Sequence, residues 1–276
     1  MTQVDTYLDC PFRYFAERVL RLEDEREDEP GLTPRERGEL SHAIFQRFYE
    51  RWTSLGRGAV TEDTLEEARR EFAAVVDAAL SGVDAADAAI ERARLLGSAV
   101  SAAMGDRVLR HELDRDAEVV ERRLEESLDG TYVFTDADGR ARTVAIRGKA
   151  DRIDFLHDGT MDLVDYKTGR APETRAVQLP VYAHVAEQRF DGFRGRSWRT
   201  RTADYLAFRG RAVSHALGRT DEERAERLDA AQQQFLAAVD GIAAGEFPPR
   251  PAEIRLCTWC PHDRVCRKDY VGDVDA

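Results

Sequence analysis

Lysine is scarce in this chain. The 276 residues include 41 basic ones, and only Lys149, Lys167 and Lys268 are lysines. Arginine is therefore used almost wherever a positive charge suffices. Because arginine stays protonated whereas a lysine near other charges can shift its pKa and handle a proton or a water, a retained lysine is a candidate for a role that arginine cannot fill.

Long apolar runs are also missing. The amino-terminal MTQVDTYLDC has no basic stretch followed by an apolar one, and no apolar run reaches the roughly eighteen residues of a membrane-spanning helix. We therefore expect a soluble cytoplasmic protein with no membrane partner. No Walker A motif is present, so any helicase partner would be a separate chain.

Net positive charge is absent as well. The formal net charge is −12, although phosphate neutralisation by basic residues supplies most nucleic-acid affinity. The acidic excess is concentrated in segments such as Glu23–Glu29, whereas Arg194–Arg211 has a single acid, Asp204. This second segment is either a DNA-binding basic strip or a solvated charged face. Its arginines are Arg194, Arg196, Arg199, Arg201, Arg209 and Arg211.

Hydrophobic periodicity and turn signals predict helices in the first part of the chain, a meander of antiparallel strands in the middle, and further helices before a cysteine-rich tail. Thr33 is the expected N-cap of a helix that carries His42, with Pro34 at its first position and Glu36 completing a capping box. The expected helices are Cys10–Leu22, which should pack against the body, Thr33–Trp52, two within Thr61–Arg110, Arg175–Arg189 and Asp221–Ala244. The expected strands are Thr131–Thr135, Thr143–Phe155, Met161–Tyr166 and Ala203–Phe208.

The segment Gly148–Gly169 is predicted to be a hairpin that turns at Asp158-Gly159. Residue numbers paired across this turn sum to 316 or 317, which places Asp151 opposite Asp165 or Tyr166. Asp165 and Lys167 are two apart on one strand, so their side chains emerge on the same face.

Two carboxylates on adjacent strands repel each other unless a cation lies between them, and hard oxygen ligands suit Mg²⁺ or Mn²⁺. Such an ion polarises a phosphodiester and lowers the pKa of a bound water, and a neighbouring Lys167 can orient that water. A metal site of this kind is suited to phosphodiester hydrolysis. The alternative is that Asp151, Asp154 and Asp165 are ordinary exposed residues and that Lys167 is their surface partner.

The motifs GKADRID, VDYKTG and QLPVY resemble the RecB-like branch of the PD-(D/E)xK nucleases. The resemblance implies an α/β, restriction-endonuclease-like fold with a central mixed sheet flanked by helices. It also implies that His42, Asp151, Asp165 and the main-chain carbonyl of Tyr166 bind metal and that Lys167 helps to activate water. Gln178 and Tyr182 match the family's Q-x-x-x-Y pattern. Taken alone, His42 is more typical of a packed core residue, and Gln178 and Tyr182 are more typical of residues that pack their helix.

We expect one nuclease domain over residues 1–276. Its parts would be a helical insertion at 55–112, which explains the long spacing between His42 and Asp151, a catalytic α/β core at 113–210, and a cysteine region at 250–270 joined by Cys10.

The four cysteines favour metal or cluster ligands over disulfides in a reducing compartment. Cys257, Cys260 and Cys266 have the spacing C-x2-C-x5-C, and Cys10 begins a C-P-x-x-[FY] motif. Ligand count alone does not separate zinc from an iron-sulfur cluster. The pattern resembles AddB-type helicase-nuclease subunits and CRISPR adaptation nucleases, which implies a structural [4Fe-4S] cluster, with His262 as a bystander.

The leading functional prediction is a DNA exonuclease, using Mg²⁺ or Mn²⁺, that acts on DNA ends in repair or recombination. The alternatives are a CRISPR adaptation nuclease that trims prespacers and, from another class, a DNA-binding module without catalysis. A zinc-stapled nucleic-acid adaptor is the least favoured.

Overall fold

The structure is a computed structural model that describes residues 2–22, 31–98, 102–113, 115, 117–172, 176–209, 213–258 and 260–268. None of its described helices is both long and apolar enough to cross a membrane. The helices are α1 (Thr2–Asp9), α2 (Pro11–Tyr14), α3 (Pro34–Ser54), α4 (Leu65–Leu80), α5 (Ala85–Leu96), α6 (Met104–Leu113), α7 (Gln178–Arg189) and α8 (Asp221–Ala244).

Five strands form a mixed sheet with the order β1-β4-β5-β6-β7. Strands β5 and β6 are parallel, and the other neighbours are antiparallel. Strands β2 and β3 form a separate two-stranded sheet. The architecture is the expected α/β fold with a central mixed sheet flanked by helices. The strands are β1 (Val119–Ser127), β2 (Gly130–Thr135), β3 (Ala141–Ile146), β4 (Lys149–Leu156), β5 (Thr160–Arg170), β6 (Arg199–Arg209) and β7 (Val213–His215).

Apolar cores lie on both faces of this sheet because successive residues of a strand point to opposite sides. In β5, Leu163 belongs to the core that includes α7 and α8. Val164 and Tyr166 belong to the core formed with α3 to α6. The end of β5 is thus held between two helical layers.

Local signals fix the helix bounds. The Thr33 hydroxyl oxygen accepts a hydrogen bond from the main-chain N–H of Glu36, and the Glu36 carboxylate accepts one from the main-chain N–H of Thr33, so the predicted capping box at the start of α3 is confirmed. Helix α8 has the predicted bounds and ends at Gly245, which has a φ of +74°, a conformation that glycine adopts without strain.

Several element predictions were wrong. The strands do not form a simple meander, because β2 and β3 leave the main sheet and β1 pairs with β4. The run Thr143–Phe155 is interrupted at Arg147-Gly148, and the Thr61–Arg110 region continues into a third helix, α6. Helix α7 begins at Gln178; Arg175, its predicted start, lies outside the described residues.

The predicted helix Cys10–Leu22 is instead the short α2 followed by a π-helical turn, Phe15–Val19. Val19, Leu20 and Leu22 are exposed rather than packed against the body. The preceding helix α1 was not predicted, and the acidic segment Glu23–Glu29 lies outside the described residues.

A buried ion network joins α6 to β1 and β4. Arg152 is completely buried and donates a hydrogen bond of 3.0 Å to Glu112. Arg122 donates over 2.7 Å to Asp154, and Arg115 donates to the same carboxylate over 2.7 Å. Burial alone would raise the pKa of Asp154, but the surrounding guanidinium groups hold that pKa far below its usual range.

Candidate active site

The β4–β5 hairpin has the predicted register. The described pairs, from Phe155 opposite Met161 to Arg152 opposite Val164, sum to 316. One step further, the main-chain N–H of Tyr166 donates a hydrogen bond of 2.8 Å to Oδ2 of Asp151. The hairpin therefore brings Asp151 beside the strand that carries Asp165 and Lys167.

Helix α3 places His42 against this hairpin. Its Nδ1 lies 3.4 Å from Oδ2 of Asp151 and 3.8 Å from Oε1 of Glu125. Its Nε2 lies 3.1 Å from the carbonyl oxygen of Tyr166. Ligand atoms of His42, Glu125 and Asp151 all fall within 4.8 Å of one another. Imidazole and carboxylates at this spacing can hold a divalent cation.

The protonation of His42 reflects the carboxylates around it. Burial would lower its pKa, but hydrogen bonds to Asp151 and Glu125 outweigh burial and raise the pKa to about 10. As an imidazolium, His42 donates one N–H to the carboxylates and the other to the Tyr166 carbonyl. A proton therefore supplies the positive charge that this acidic site requires.

Asp165 lies outside the group of ligand atoms within 4.8 Å and is held by Lys167 and Gln178. Nζ of Lys167 lies 2.7 Å from Oδ2 of Asp165. The side-chain amide of Gln178 donates over 3.3 Å to Oδ1 of Asp165 and accepts over 3.3 Å from Lys167. Burial and repulsion by Asp151 raise the pKa of Asp165 to about 7, against the attraction of Lys167.

Glu125 is a site residue that the sequence prediction missed. Its backbone has a φ of +51° within β1, a conformation that is uncommon for a residue other than glycine and is often found at functional sites. Nζ of Lys149 lies 2.6 Å from its Oε2. Two of the three rare lysines, Lys149 and Lys167, thus contact carboxylates of one site, and that rarity was the available signal.

Tyr182 faces the same hairpin from α7. It is buried, and burial raises its pKa to about 12. A Cβ at position 148 would lie 2.4 Å from the Tyr182 hydroxyl, so Gly148 is required for this close approach.

The geometry does not fit the alternatives in which these residues only pack a core or lie exposed on the surface. The side chain of His42 is 31% exposed to solvent and lies against the Asp151 carboxylate rather than in a core. Asp154 is fully buried and Asp165 is 4% exposed, so neither is an ordinary surface residue. Gln178 contacts two charged groups in addition to packing its helix.

The donor atoms suit a hard divalent cation. His42 offers a ring nitrogen, Glu125 and Asp151 offer carboxylate oxygens, and the Tyr166 carbonyl points at the same imidazole. Oδ2 of Asp165 is buried without a hydrogen bond of good geometry, and the Lys167 ammonium 2.7 Å away is the positive charge beside it. Oxygen-rich sites with one imidazole fit Mn²⁺ or Mg²⁺.

All four cysteines line one cavity of about 200 Å³ between the two ends of the described chain. Burial raises the pKa of the Cys10 thiol, and so does the proximity of Cys266 and Cys260, although main-chain N–H groups of Arg13 and Phe12 lower it. Four thiols around one cavity are a ligand set that fits either zinc or an iron-sulfur cluster.

His262 is buried, with its Nε2 3.7 Å from Glu17, and it does not line this cavity. Non-covalent contacts also hold the two ends of the described chain together. The main-chain N–H of Phe12 donates to the carbonyl of Pro248, and the Phe247 ring stacks on Phe15 at a centroid distance of 5.0 Å.

The arginines of the predicted basic strip do not share one surface. Arg194 pairs with Glu121 at 2.6 Å, and Arg201 pairs with Asp162 at 2.7 Å. Arg199 and Arg209 stand at opposite ends of β6, roughly 33 Å apart for an extended strand. Arg211 lies outside the described residues.

Comparison with known proteins gives a family match. The sequence model of the PD-(D/E)XK nuclease superfamily matches residues 1–267. No curated protein matches the chain. Among solved structures, the chain is similar to the one described as "Crystal structure of SSO0001", with 13% sequence identity over 83% of this chain and 96% of that chain and a TM-score of 0.31. A likeness at this level does not bear on the fold.

Proposed function

This chain belongs to the PD-(D/E)XK nuclease superfamily, and we propose that it is a metal-dependent DNA exonuclease of the RecB-like branch that acts on DNA ends in repair or recombination. The main support is that ligand atoms of His42, Glu125 and Asp151 lie within 4.8 Å of one another, beside the Asp165–Lys167 pair. Nucleases of this superfamily use divalent metals and act on DNA, so a site for such an ion is required.

The proposed metal ligands are His42, Asp151, Asp165 and the Tyr166 carbonyl, with Glu125 as an additional carboxylate. A divalent ion supplies Lewis-acid polarisation of a phosphodiester and lowers the pKa of water. The chain's own contribution is positioning. The N–H of Tyr166 orients the Asp151 carboxylate over 2.8 Å, and the ring of His42 is held between two carboxylates and a carbonyl.

Lys167 is proposed as the group that orients the attacking water and stabilises developing negative charge. Its ammonium is held by Asp165 and Gln178 and lies 5.3 Å from the centre of the Tyr205 ring. Gln178 therefore fixes both members of the D-x-K pair. Tyr182, packed against Gly148, is proposed to hold α7 against the hairpin.

We also propose that the cysteine cavity holds a [4Fe-4S] cluster ligated by Cys10, Cys257, Cys260 and Cys266. The proposal is supported by the cavity volume of about 200 Å³, whereas one water occupies about 30 Å³ of liquid. The role is structural. Asp5, which lies on the helix that leads to Cys10, accepts a hydrogen bond of 2.9 Å from the N–H of Val177 at the start of α7.

The domain organisation follows the same proposal. Residues 1–276 form one nuclease domain, in which 55–112 are a helical insertion, 113–210 the catalytic core and 250–270 with Cys10 the cluster region.

The function is tested with anaerobically purified full-length protein and end-labelled single- and double-stranded DNA in Mn²⁺ or Mg²⁺. Degradation that is lost with EDTA and with Lys167→Ala supports the proposal, and the product lengths give the polarity. An inert wild type that retains its cluster contradicts it. Four irons and four acid-labile sulfides per chain are expected, and stoichiometric zinc would overturn the cluster assignment.

A further inference from the structure

A second cavity, of about 380 Å³, opens beside the proposed active site at the carboxyl ends of the parallel strands β5 and β6. Thr168 and Gly169, the two residues after Lys167, form one wall. Three arginines, Arg37, Arg94 and Arg209, form another, and no acidic residue is among the described residues that line it.

The arginines are organised by one buried carboxylate. Glu91 is 1% exposed and accepts hydrogen bonds of 2.8 Å from Arg37 and 2.7 Å from Arg94. Arg94 also donates over 3.1 Å to the buried hydroxyl of Ser41. A carboxylate on one side of a guanidinium leaves its remaining N–H donors fixed in direction. Glu91 therefore fixes the orientation of the Arg37 and Arg94 guanidinium groups.

Positive charge exceeds negative charge here although the chain is acidic overall. Arg209 is exposed, and its side chain has no hydrogen-bond or ion-pair partner in the part of the chain that the structure describes. Burial lowers the pKa of Arg94, and the nearby positive charges of Arg37 and Arg209 lower it further, against the attraction of Glu91. Three guanidinium groups against one carboxylate leave a local excess of about two charges, which favours a bound anion.

The strand backbone is irregular beside this cavity. The pairing of β5 with β6 shifts between Lys167, opposite Ala207, and Arg170, opposite Arg209. Thr168 and Gly169 lie in this irregularity, and open space surrounds Gly169 where a Cβ would be. Such irregularities recur next to active sites, where they free main-chain groups and let another molecule approach the backbone.

We propose that this arginine-lined cavity binds a phosphate group of the DNA strand that is being cut, and so anchors that strand beside Lys167. Planar guanidinium groups match phosphate oxygens in pairs, and the cavity directly continues the strand that carries the D-x-K pair. The inference rests on the proposed nuclease function and adds an anchoring site to it. The phosphate belongs either to a strand end or to the continuous backbone.

The test measures binding apart from cleavage, by fluorescence anisotropy of labelled single-stranded DNA with the full chain in EDTA at several salt concentrations. Arg209→Gln and Arg94→Gln are each expected to weaken binding about tenfold, as for loss of a charged hydrogen bond. Each should also reduce the slope of log K against log salt by about one. Matched controls are Arg199→Gln, at the other end of β6, and Arg92→Gln, on α5 with a surface bond to Asp77.

Strand ends identify the phosphate. An end phosphate predicts that the effect of Arg209→Gln disappears on circular DNA and on ends that lack the phosphate; a backbone phosphate predicts the same effect on all of them. Arg209 is exposed, so Arg209→Gln provides the test even if Arg94→Gln fails to fold. If wild type binds DNA and Arg209→Gln binds it as tightly as the control Arg199→Gln, the inference fails and the nuclease function stands. If wild type binds no DNA, both fail.

Discussion

The guanidinium group of Arg152 donates a hydrogen bond of 3.2 Å to the phenol oxygen of Tyr166. The main-chain carbonyl of Tyr166 faces His42. One residue therefore joins the buried ion network to the proposed metal site, with its side chain in the first and its backbone in the second.

Replacing Arg152 with methionine should destabilise the protein by about 3–5 kcal/mol, because removal of one partner leaves buried charge uncompensated. Glu112 would keep Arg122 but lose its bond to Arg152. Urea unfolding measures the change. Arg140→Met is the control, since Arg140 pairs with Asp138 at an exposed position. A loss for Arg152→Met as small as that of the control would show that the network contributes little.

Tyr166→Phe keeps the ring in its core and removes only the hydroxyl that meets Arg152. We expect a loss of about 1 kcal/mol of stability and a small decrease in nuclease activity, since the carbonyl that faces His42 stays in place. A complete loss of activity in a folded Tyr166→Phe variant would contradict a purely main-chain role.

Glu125→Gln should weaken Mn²⁺ binding by about tenfold or more, because the site loses one of the carboxylates that converge on His42. Titration calorimetry with Mn²⁺ measures this directly. Glu126→Gln is the matched control, since the next residue along β1 contacts Arg123 and Arg189 instead. Equal affinity in the two variants would exclude Glu125 from the metal site.

The metal-free protein should lose stability in alkali. The pKa of His42 is raised from 6.5 to about 10 in the folded protein. The stabilising contribution of its proton is therefore fully present below pH 6.5 and is lost as the pH rises to about 10. Denaturant unfolding in EDTA across this range should show the decline, and His42→Asn should flatten it. A wild-type curve without this decline would contradict a protonated His42.

Asp5→Asn should stabilise the protein at neutral pH by on the order of 1–3 kcal/mol. Burial raises the pKa of Asp5 to about 6, so the folded state binds an extra proton and stability falls as the pH rises from about 4 to 6. Asparagine keeps an acceptor for the N–H of Val177 and removes the charge. Asp5→Ala removes the acceptor too and should lower nuclease activity by loosening the start of α7. Equal activity in both variants would exclude this positioning role.

Some of this molecule can be predicted from sequence because the determinants are local. The turn at Asp158-Gly159 fixes the register that brings Asp151 to Tyr166. The capping box of Thr220 and the glycine at 245 fix both ends of α8. In each case a few adjacent residues decide the geometry.

Glu125 could not be found in this way, because β1 reads VVERRLEES and has no apolar alternation. Its charged residues are tolerated because Arg122 is neutralised in the buried network. Along the sequence, β2 and β3 also lie between β1 and its partner strand β4. The cluster around Glu91 could not be found from local sequence either, because it joins α3 to α5 and its partners Arg37 and Glu91 are 54 residues apart.

The cysteine cavity imposes an order on biosynthesis. Its walls include Cys10 and Cys257, so 247 residues separate the first thiol from the second (257 − 10). At ribosomal speeds of about 5–20 residues per second, the nascent chain carries Cys10 unmatched for roughly 12–50 s. The cavity is therefore completed only after translation has passed Cys266, and by then the growing chain already contains Asp151, Asp165 and Lys167 of the proposed active site.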